Sequence, residues 1–334
     1  MDAPLTVSSS PHIHDEESIR SIMTDVCIAL LFPLALGTYY FEMKALYLTL
    51  VSVLSCVVFE FLYRKALKKT NTIRDMSAVV TGMLLAFTLP VSTPYWVVVV
   101  GAFFAIVVVK QLYGGLGKNF MNPALAARAF LVVSFPAYTG IFTEPTFHED
   151  GFSFFSTPDA ISAATPLASL KQGVLPENYD LQNLLFGEIP GCIGEVSALI
   201  LIIGGLWLLA RRVITPRVPV SYLGTVALLT FVFSPAGVDS LQFMLYSILS
   251  GGLMLGAIFM ATDYTTCPVT KRGQILYGIG CGLLTVFIRY FGKMPESVCF
   301  SILIMNTLVW MLDKAGRARR FGVRPFAFLF KKGG

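Results

Sequence analysis

The sequence has little charge. Asp, Glu, Lys and Arg make up 13% of its 334 residues and hydrophobic residues make up 55%, whereas a soluble domain carries about 25% charged residues. Apolar runs at 95–109, 196–210 and 241–260 approach the ~20 residues that a helix needs to cross the hydrocarbon core of a bilayer. This composition excludes an ordinary soluble domain and predicts an all-α polytopic membrane protein.

The sequence also lacks the patterns of common metal and redox sites. Its six cysteines form no CxxC pair, so we interpret them as small packing residues rather than cluster ligands or disulfides. His12, His14 and His148 have no potential ligands at suitable spacing, and we expect no metal site. No glycine-rich nucleotide-binding motif is present. No basic region precedes the first apolar run, which argues against a signal peptide.

The apolar runs predict ten transmembrane helices. The predicted spans are 22–40, 45–63, 76–90, 95–110, 119–135, 194–210, 219–234, 241–260, 274–291 and 296–312. Lys and Arg concentrate on one side of these spans, and the other side holds only Lys44, Lys171 and Lys293. The positive-inside rule then places both termini in the cytoplasm. We interpret the basic C-terminal tail as a topological anchor or a docking surface, and expect no nucleic-acid partner.

The predicted spans form two groups of five. The chain divides into a cytoplasmic segment 1–21, a first repeat 22–135, an extracytoplasmic loop 136–193, a second repeat 194–312 and a basic cytoplasmic tail 313–334. Because five is odd, the second repeat enters the membrane inverted, as in many transporters. Weak self-similarity between "TGMLLAFTLPVSTP" and "GGLMLGAIFMATDYTTCP" supports this arrangement. Gly114, Gly115 and Gly117 interrupt one such segment, which is also typical of inverted-repeat transporters. These glycines would equally allow close contact between helices, and both interpretations stay open.

Ionisable residues inside a membrane are costly, and they point to function. Arg128 lies deepest in a predicted span, and we expect it to pair with an acidic group or to face a polar cavity. Glu195, Arg289 and Glu296 share a depth at the outer ends of spans, where most such residues are interface anchors. Asn122 and Glu296 each adjoin a proline, and they mark the expected centre of the molecule. Together with Arg128, Asp75 and Asp263 they are the candidates for an ion path or cavity.

Two carboxylates fall near the predicted cytoplasmic ends of the third and eighth spans. They are Asp75 and Asp263, which occupy related places in the two repeats. Thr262, Thr265 and Thr266 surround Asp263 and add oxygen atoms at close spacing. Carboxylate and hydroxyl oxygens suit hard cations, so we expect Asp263 to line a cation pathway rather than to act as a hydrated anchor.

A small-residue box interrupts the polar loop between the two repeats. It reads "DAISAATPL" at 159–167 and includes Asp159, Ser162, Ala164 and Thr165. Taken alone, such residues are typical of a helix N-cap or a loop, because their side chains bond to nearby backbone groups. The loop's predicted position outside the cytoplasm places the box near the start of the sixth span.

Several separated motifs carry a resemblance to a known family. They are "SPHIHD" at 10–15, "YGGLGKNFMNPA" at 113–124, the box at 159–167, "FMATDYTTCPVTKRG" at 259–273 and "MPESVCFSILIMN" at 294–306. In this order they resemble the NqrB/RnfD family over most of the chain.

The resemblance implies a flavin cofactor. In this family a flavin transferase attaches FMN through its phosphate to the threonine of the box, and the matching residue is Thr165. Asp159, Ser162 and Ala164 complete the attachment box, while Ala163 stands where the family often has glycine, which narrows the backbone choices there. The family also implies a second, noncovalent riboflavin, which the sequence does not locate.

The resemblance further implies a role in a larger assembly. The chain would be a membrane subunit of an Rnf-type complex that passes electrons between ferredoxin and NAD and exports Na⁺ or H⁺. Its partners would be a second FMN-carrying subunit, Fe–S and NAD-binding subunits and other membrane subunits. The alternatives are a solute channel or transporter built on the same inverted repeat, without flavin, and a purely structural subunit. Neither alternative needs the Thr165 box.

Overall fold

The computed structural model describes residues 18–70, 72–145, 165–176, 179–195, 197–292 and 297–316. Three members of the attachment box, Asp159, Ser162 and Ala164, lie outside these ranges, as does Glu296. Within the described ranges the chain forms helices and connecting turns, and no strand occurs there. The predicted all-α class is therefore confirmed.

Helices account for most of the described chain. The first half contains α1 (Ile19–Ala66), α2 (Ser77–Phe87), α3 (Tyr95–Gln111), α4 (Pro123–Ser134) and α5 (Pro136–Thr139). The predicted loop contributes α6 (Pro166–Lys171) and α7 (Leu181–Phe186). The second half contains α8 (Ala198–Ala210), α9 (Arg217–Val232), α10 (Ser240–Leu249), α11 (Leu253–Met260), α12 (Lys271–Phe291) and α13 (Val298–Gly316).

The first helix is too long for a single crossing. Its 48 residues correspond to about 70 Å at 1.5 Å per residue, more than twice the ~30 Å hydrocarbon core. The backbone leaves helical geometry at Phe41 and Glu42, where Glu42 has φ 59°. This interruption falls in the gap predicted between the first two spans, 22–40 and 45–63.

The number of spans stays a prediction. Among the described residues, α1, α12 and α13 are long and apolar enough to cross a membrane. Helices α10 and α11 together would count as a fourth span, although the chain bends by 65° between them. The other apolar helices have 10–17 residues, fewer than the ~20 of a full crossing. The predicted ten spans and inverted repeats are therefore not confirmed by helix length.

The continuous eighth span predicted at 241–260 is interrupted in the structure. Helix α10 ends at Leu249, and α11 begins at Leu253. Gly251, between them, has φ +69°, a left-handed conformation that glycine adopts without the steric cost of a side chain. Gly251 and Gly252 of this break line the main cavity that is described in the next section.

Small residues let the helices approach closely. A Cβ added at Gly82 of α2 would lie 2.7 Å from the Cα of Val53 in α1, and one at Gly282 of α12 would lie 2.6 Å from Thr225 Cβ in α9. Such contacts are typical of helix packing in membranes. Large apolar side chains such as Leu54, Leu206 and Trp310 are 62%, 58% and 70% exposed, which suits lipid or partner subunits rather than water.

Candidate functional site

The main cavity lies beside the break between α10 and α11. The empty space there, which includes open solvent at the mouth, amounts to about 750 Å³. Residues from α4, α6, α11, α12 and the start of α13 form its walls. Most of the lining is apolar, and a few polar side chains project among these residues, as in many cofactor sites.

Thr165 lies in the wall of this cavity, directly before α6. Its backbone is extended (φ −68°, ψ 149°), and its side chain makes no capping hydrogen bond to the helix. Pro166 occupies the first helical position, where the missing N–H costs nothing and the fixed φ suits the helix. The hydroxyl of Thr165 therefore does not cap the start of α6, although the sequence pattern alone suggested an N-cap or a loop.

Arg128 lines the same cavity from α4. Asn122 starts this helix by accepting from the backbone N–H groups of Ala124 and Leu125 at 3.0 and 3.3 Å, and this cap fixes the helix that carries Arg128. The guanidinium is 2% exposed, and its Nη2 lies 3.8 Å from Cys192 Sγ. Arg128 therefore borders the main cavity, whose lining is mostly apolar.

Two further ionisable residues border the cavity, and sequence reasoning had treated both as interface anchors. Arg289 of α12 is 8% exposed. It donates from Nη1 to the carbonyl oxygen of Ser247 at 2.6 Å and from Nη2 to that of Ser250 at 3.4 Å. It thus satisfies carbonyl groups that the break leaves without helical partners. The second residue is Glu195. A Cβ at Gly252 would lie 2.7 Å from Glu195 Oε1, so only glycine leaves enough space for the carboxylate at this position.

A second polar cluster joins three helices of the first half. Lys110 Nζ lies 2.8 Å from Glu60 Oε2 and 2.7 Å from Ser77 Oγ, while Thr72 Oγ1 donates to Glu60 Oε1 at 2.7 Å. Lys110 and Glu60 are 2% and 1% exposed. Sequence reasoning missed this pair because Lys110 was counted among the basic loop residues, and because the charge of Glu60 within the second predicted span was overlooked.

Asp263 lies next to this cluster, beyond the end of α11. Its Oδ2 accepts from Thr265 Oγ1 at 3.1 Å and from Thr266 Oγ1 at 3.0 Å. Thr262 instead donates to the carbonyl of Ile258 within the helix, so only two of the three expected hydroxyl groups meet the carboxylate. Burial raises the pKa of Asp263, and the two threonine hydrogen bonds oppose that rise.

A small polar cavity connects Asp263 with the Lys110 cluster. Asp263, Lys110 and Ser77 line it together with Asn119 and Asn122. Asn122 Nδ2 also donates to the carbonyl of Met260, the last residue of α11, at 3.3 Å. The structure thus brings Asp263 and Asn122 into one wall, as the prediction of a shared pathway requires.

Asp75 lies in a neighbouring pocket with Arg64, Thr72 and Thr265. Its Oδ1 is buried and has no hydrogen-bond partner in the described part of the chain. Asp75 and Asp263 therefore lie near the same end of the molecule. No group of three His, Cys, Asp or Glu side chains there could hold a metal ion, among the residues that the structure describes.

The sequence matches a known protein family over most of its length. The model of the NQR2, RnfD, RnfE family matches residues 6–322. The D subunit of the Na⁺-translocating ferredoxin:NAD⁺ oxidoreductase complex of Acetobacterium woodii is 48% identical over 322 residues, which cover 96% of each chain. The D subunit of the proton-translocating ferredoxin:NAD⁺ oxidoreductase complex of Clostridium ljungdahlii is 39% identical, again over 96% of each. The D subunit of an ion-translocating oxidoreductase complex of Stutzerimonas stutzeri is 37% identical over 91% of this chain and 92% of that protein.

Proposed function

The chain belongs to the NQR2, RnfD, RnfE family, and from this we propose that it is the D subunit of an ion-translocating ferredoxin:NAD⁺ oxidoreductase complex. Relatives with this name cover almost the full length of the chain. The described residues hold neither nucleotide-binding nor Fe–S motifs of their own, so ferredoxin and NAD would react on other subunits. These partners would include a second FMN-carrying subunit and further membrane subunits.

The proposal includes a covalent FMN on Thr165. The observation that carries it is the position of the Thr165 hydroxyl, which is not used as a helix cap and lies in the wall of a cavity with two buried arginines. The chemistry of the lining suits such a group, because a flavin nucleotide has a planar apolar ring system and an anionic phosphate. The lining is mostly apolar and includes Arg128 and Arg289. Bound there, the flavin would supply one- and two-electron transfer.

The chain's own residues have distinct roles in this proposal. Thr165 would provide the oxygen of the phosphoester. The flavin transferase would break the phosphoanhydride bond of a flavin dinucleotide donor, so that the FMN phosphoryl group passes to this oxygen while the nucleoside monophosphate and the hydroxyl proton leave. Arg128 would balance negative charge from the α4 side. Leu255 and Val298 would exclude water from the apolar part of the cavity. A flavin transferase would act on the box before the site closes.

Peptide mass spectrometry tests the attachment. The tryptic peptide that contains Thr165 should be heavier by one FMN less one water. Thr165→Val should abolish flavin fluorescence of the denatured band on a gel, because it removes the hydroxyl and keeps the shape, whereas Thr165→Ser should retain some. Ser169→Ala, which removes a hydroxyl one turn later in α6, is the matched control. Only unmodified peptide after co-expression with the transferase would disprove the attachment.

A second, noncovalent riboflavin is also part of the proposal. A flavin near the outer surface is separated from the cytoplasm by a hydrocarbon core of about 30 Å, so another redox centre must lie between them. Acid extraction of the complex that carries Thr165→Val should still release riboflavin. If no riboflavin is released, the centre that lies between is not a noncovalent riboflavin, and this part of the proposal is wrong.

The proposed ion pathway begins at the small polar cavity near Asp263. Asn122 lies in the wall of this cavity and Asp75 in the neighbouring pocket, while Arg128 lies further along α4 at the main cavity. Glu296 is the remaining residue of the predicted pathway. The cation would be Na⁺ or H⁺, as in the names of two relatives. In this arrangement the protein spans the cytoplasmic membrane of a bacterium, with both termini in the cytoplasm.

A further inference from the structure

The helix that follows Thr165 is too short to be stable by itself. Helix α6 contains six residues, Pro166–Lys171, whereas an isolated helix of fewer than about 12–15 residues is marginal in water. A left-handed glycine closes its far end, because Gly173 has φ +79° and donates to the carbonyl of Leu170 at 3.0 Å. Such local bonds end a helix but do not fix its place in the fold. The position of α6, and with it that of Thr165, therefore depends on side-chain packing.

Two leucines supply this packing. Leu167 and Leu170 are 8% and 5% exposed, and their spacing of three residues places them on the same face of α6. Leu167 lies beside the break between α10 and α11, where a Cβ at Gly251 would be 3.0 Å from Leu167 Cδ2. Leu170 joins a small apolar cluster with the buried side chains of Leu184, Ile189, Phe243 and Tyr246. We call Leu167 and Leu170 the leucine anchor.

The leucine anchor determines the position of Thr165. Thr165 precedes Leu167 by two residues, and both line the main cavity. Pro166, between them, is buried, and its ring fixes φ, so the threonine and the anchor have little freedom to move separately. While both leucines are packed as in the structure, Thr165 stays at the cavity wall and is only partly exposed.

A transferase needs a wider approach to this hydroxyl. Attachment breaks the phosphoanhydride bond of a flavin dinucleotide and forms a bond from phosphorus to Thr165 Oγ1, while the nucleoside monophosphate leaves and the hydroxyl proton passes to a base of the transferase. The attacking and leaving oxygen atoms lie roughly in line across the phosphorus, so donor and enzyme must surround the hydroxyl. Pro166 and Leu167, the next two residues, are buried against the rest of the protein, and this prevents such an approach.

We propose that Leu167 and Leu170 are positioning residues that act in two states of α6. With the leucine anchor released, Thr165 is a substrate of the flavin transferase. With the anchor packed, the attached flavin is held in the main cavity. This inference rests on the proposed function, and it adds a release step before attachment and a packing step after it. Short elements with few buried contacts are the ones that open locally at low free-energy cost, and α6 is such an element.

Attachment kinetics on the full chain test the release step. The chain is purified in detergent from cells that lack the transferase. Transferase and flavin adenine dinucleotide are then added, and attachment is followed by the fluorescence of the denatured band on a gel. If only the released state is a substrate, the rate is proportional to the fraction of chains in that state.

Replacing either leucine of the anchor should speed attachment. Leu167→Ala and Leu170→Ala remove most of the buried side chain, and each should raise the rate at least tenfold. A tenfold change corresponds to about 1.4 kcal/mol, which is less than the replacement of a buried leucine by alanine usually costs. Leu201→Ala is the matched control, because it removes the same atoms from a buried residue of α8. It should change the rate by about twofold at most, since it lies in another element.

Hydrogen exchange tests the packing step without any substitution. In the wild-type full chain, the peptide that contains α6 should exchange its backbone N–H groups at least tenfold more slowly with FMN attached than without it. The reason is that the flavin adds contacts that exist only in the packed state. The peptide that contains α8 is the internal control, and its exchange should be equal in both samples.

Each outcome decides the proposal. Unchanged rates in Leu167→Ala and Leu170→Ala would show that Thr165 is modified with the anchor packed, and this would overturn the proposal. An equal rise in Leu201→Ala would assign the effect to a general loss of stability, and it would overturn the proposal too. If neither anchor variant folds, hydrogen exchange of the wild-type chain decides, since equal exchange with and without FMN refutes the packing step. A wild-type band without flavin fluorescence, from cells that contain the transferase, would instead refute the covalent FMN of the proposed function.

Discussion

At the scale of single residues, Thr165 differs from most hydroxyl residues in this chain by how its side chain is used. Thr49, Thr81 and Thr230 each donate to the carbonyl four residues earlier in their own helix, at 2.8 to 2.9 Å. That bond satisfies the hydroxyl in apolar surroundings. The Thr165 hydroxyl makes no capping bond although it stands at a helix start, and this leaves it suited to chemical modification.

Asp263 supports a prediction about the coupled ion. The carboxylate is held by two threonine hydroxyls beside a small polar cavity. Asp263→Asn keeps the shape and removes the charge, so flavin content and assembly should persist. Ion-coupled electron transfer should fall at least tenfold, equivalent to about 1.4 kcal/mol at the barrier. The measurement is ion uptake into inverted vesicles that contain the complex, driven by electron transfer from reduced ferredoxin to NAD⁺.

Asp180→Asn is the matched control for this variant. Asp180 is an exposed carboxylate that makes no capping hydrogen bond, and its replacement should leave transport unchanged. Unchanged transport in Asp263→Asn would make Asp263 a hydrated anchor, whereas loss of assembly would make it structural. Either result would contradict the proposed pathway through this residue.

The raised pKa of Asp263 gives the same variant a signature in stability. Because burial raises the pKa, the folded protein binds this proton more tightly than the unfolded chain does. Its contribution to stability is therefore present at low pH, and it decreases as the pH rises from about 3.9, the ordinary value, through the raised one. Asp263→Asn should remove this part of the pH dependence of the thermal midpoint.

At the scale of helices, the Lys110–Glu60 ion pair links elements that are far apart in sequence. Glu60 belongs to α1 and Lys110 to α3, and Ser77, the first residue of α2, is the third partner. Because both charges are buried, their attraction offsets the cost of removing them from water only if the geometry is good and the remaining polar atoms are hydrogen-bonded. Thr72 and Ser77 supply those bonds, so the pair fixes how the three helices meet.

Breaking this pair should destabilise the protein more than removing it. Lys110→Met leaves Glu60 buried without its counter-ion, and it should cost about 3–5 kcal/mol. The double variant Lys110→Met with Glu60→Gln should recover part of that loss. The thermal midpoint and yield of the detergent-solubilised complex measure the effect. Lys65→Met, at an exposed residue of α1, should cost about 0.5 kcal/mol or less. Equal losses in the single and double variants would contradict the prediction.

The sequence predicted where helices occur better than it predicted where they are interrupted. The gap predicted between 40 and 45 contains the backbone break at Phe41 and Glu42, because the polar residues there interrupt an apolar run. The predicted fifth span began at 119, but α4 begins at Pro123, since Asn122 caps the helix. The break at Gly251 was missed, because a single glycine inside an apolar run fits a continuous helix equally well.

The site was predictable only in part, for a physical reason. Thr165 was singled out by the resemblance to a family's attachment box and Arg128 by the cost of charge in a membrane, and both line one cavity. Arg289 and Glu195 reach the same cavity through tertiary packing at the α10–α11 break. Local sequence does not encode that proximity, so their depth at span ends suggested only interface anchors.

At the scale of the whole molecule, the two polar regions lie on either side of α11. The main cavity contacts Leu255 and Met260 of this helix, and the small polar cavity begins at Asp263, just beyond its end. Asn122, in the wall of the small cavity, bonds to the carbonyl of Met260. Helix α11 thus lies between the site of the proposed flavin and the carboxylate of the proposed ion pathway.

The topology prediction follows from this separation. Asp75, Lys110 and Asp263 come from three loops or span ends predicted to be cytoplasmic, and the structure brings them to one end of the molecule. Thr165 and Glu195 come from the predicted extracytoplasmic loop and the span end beside it, and they meet at the main cavity. A phosphatase reporter, which is active only outside the cytoplasm, should therefore be active when fused after Lys171.

The same reporter should be silent at the C-terminus. A third fusion, after Ile214 in the basic connection between α8 and α9, is the internal control, and it should also be silent. Lys171 ends α6 and Ile214 follows α8 closely, so both of these fusions lie near a helix end and differ in their predicted side. Activity at both Lys171 and the C-terminus would mean an even number of crossings after the loop, so the count of five spans there would be wrong. Activity at Ile214 as well would assign the error to α8, which has only 13 residues and would then be a helix that enters the membrane without crossing it.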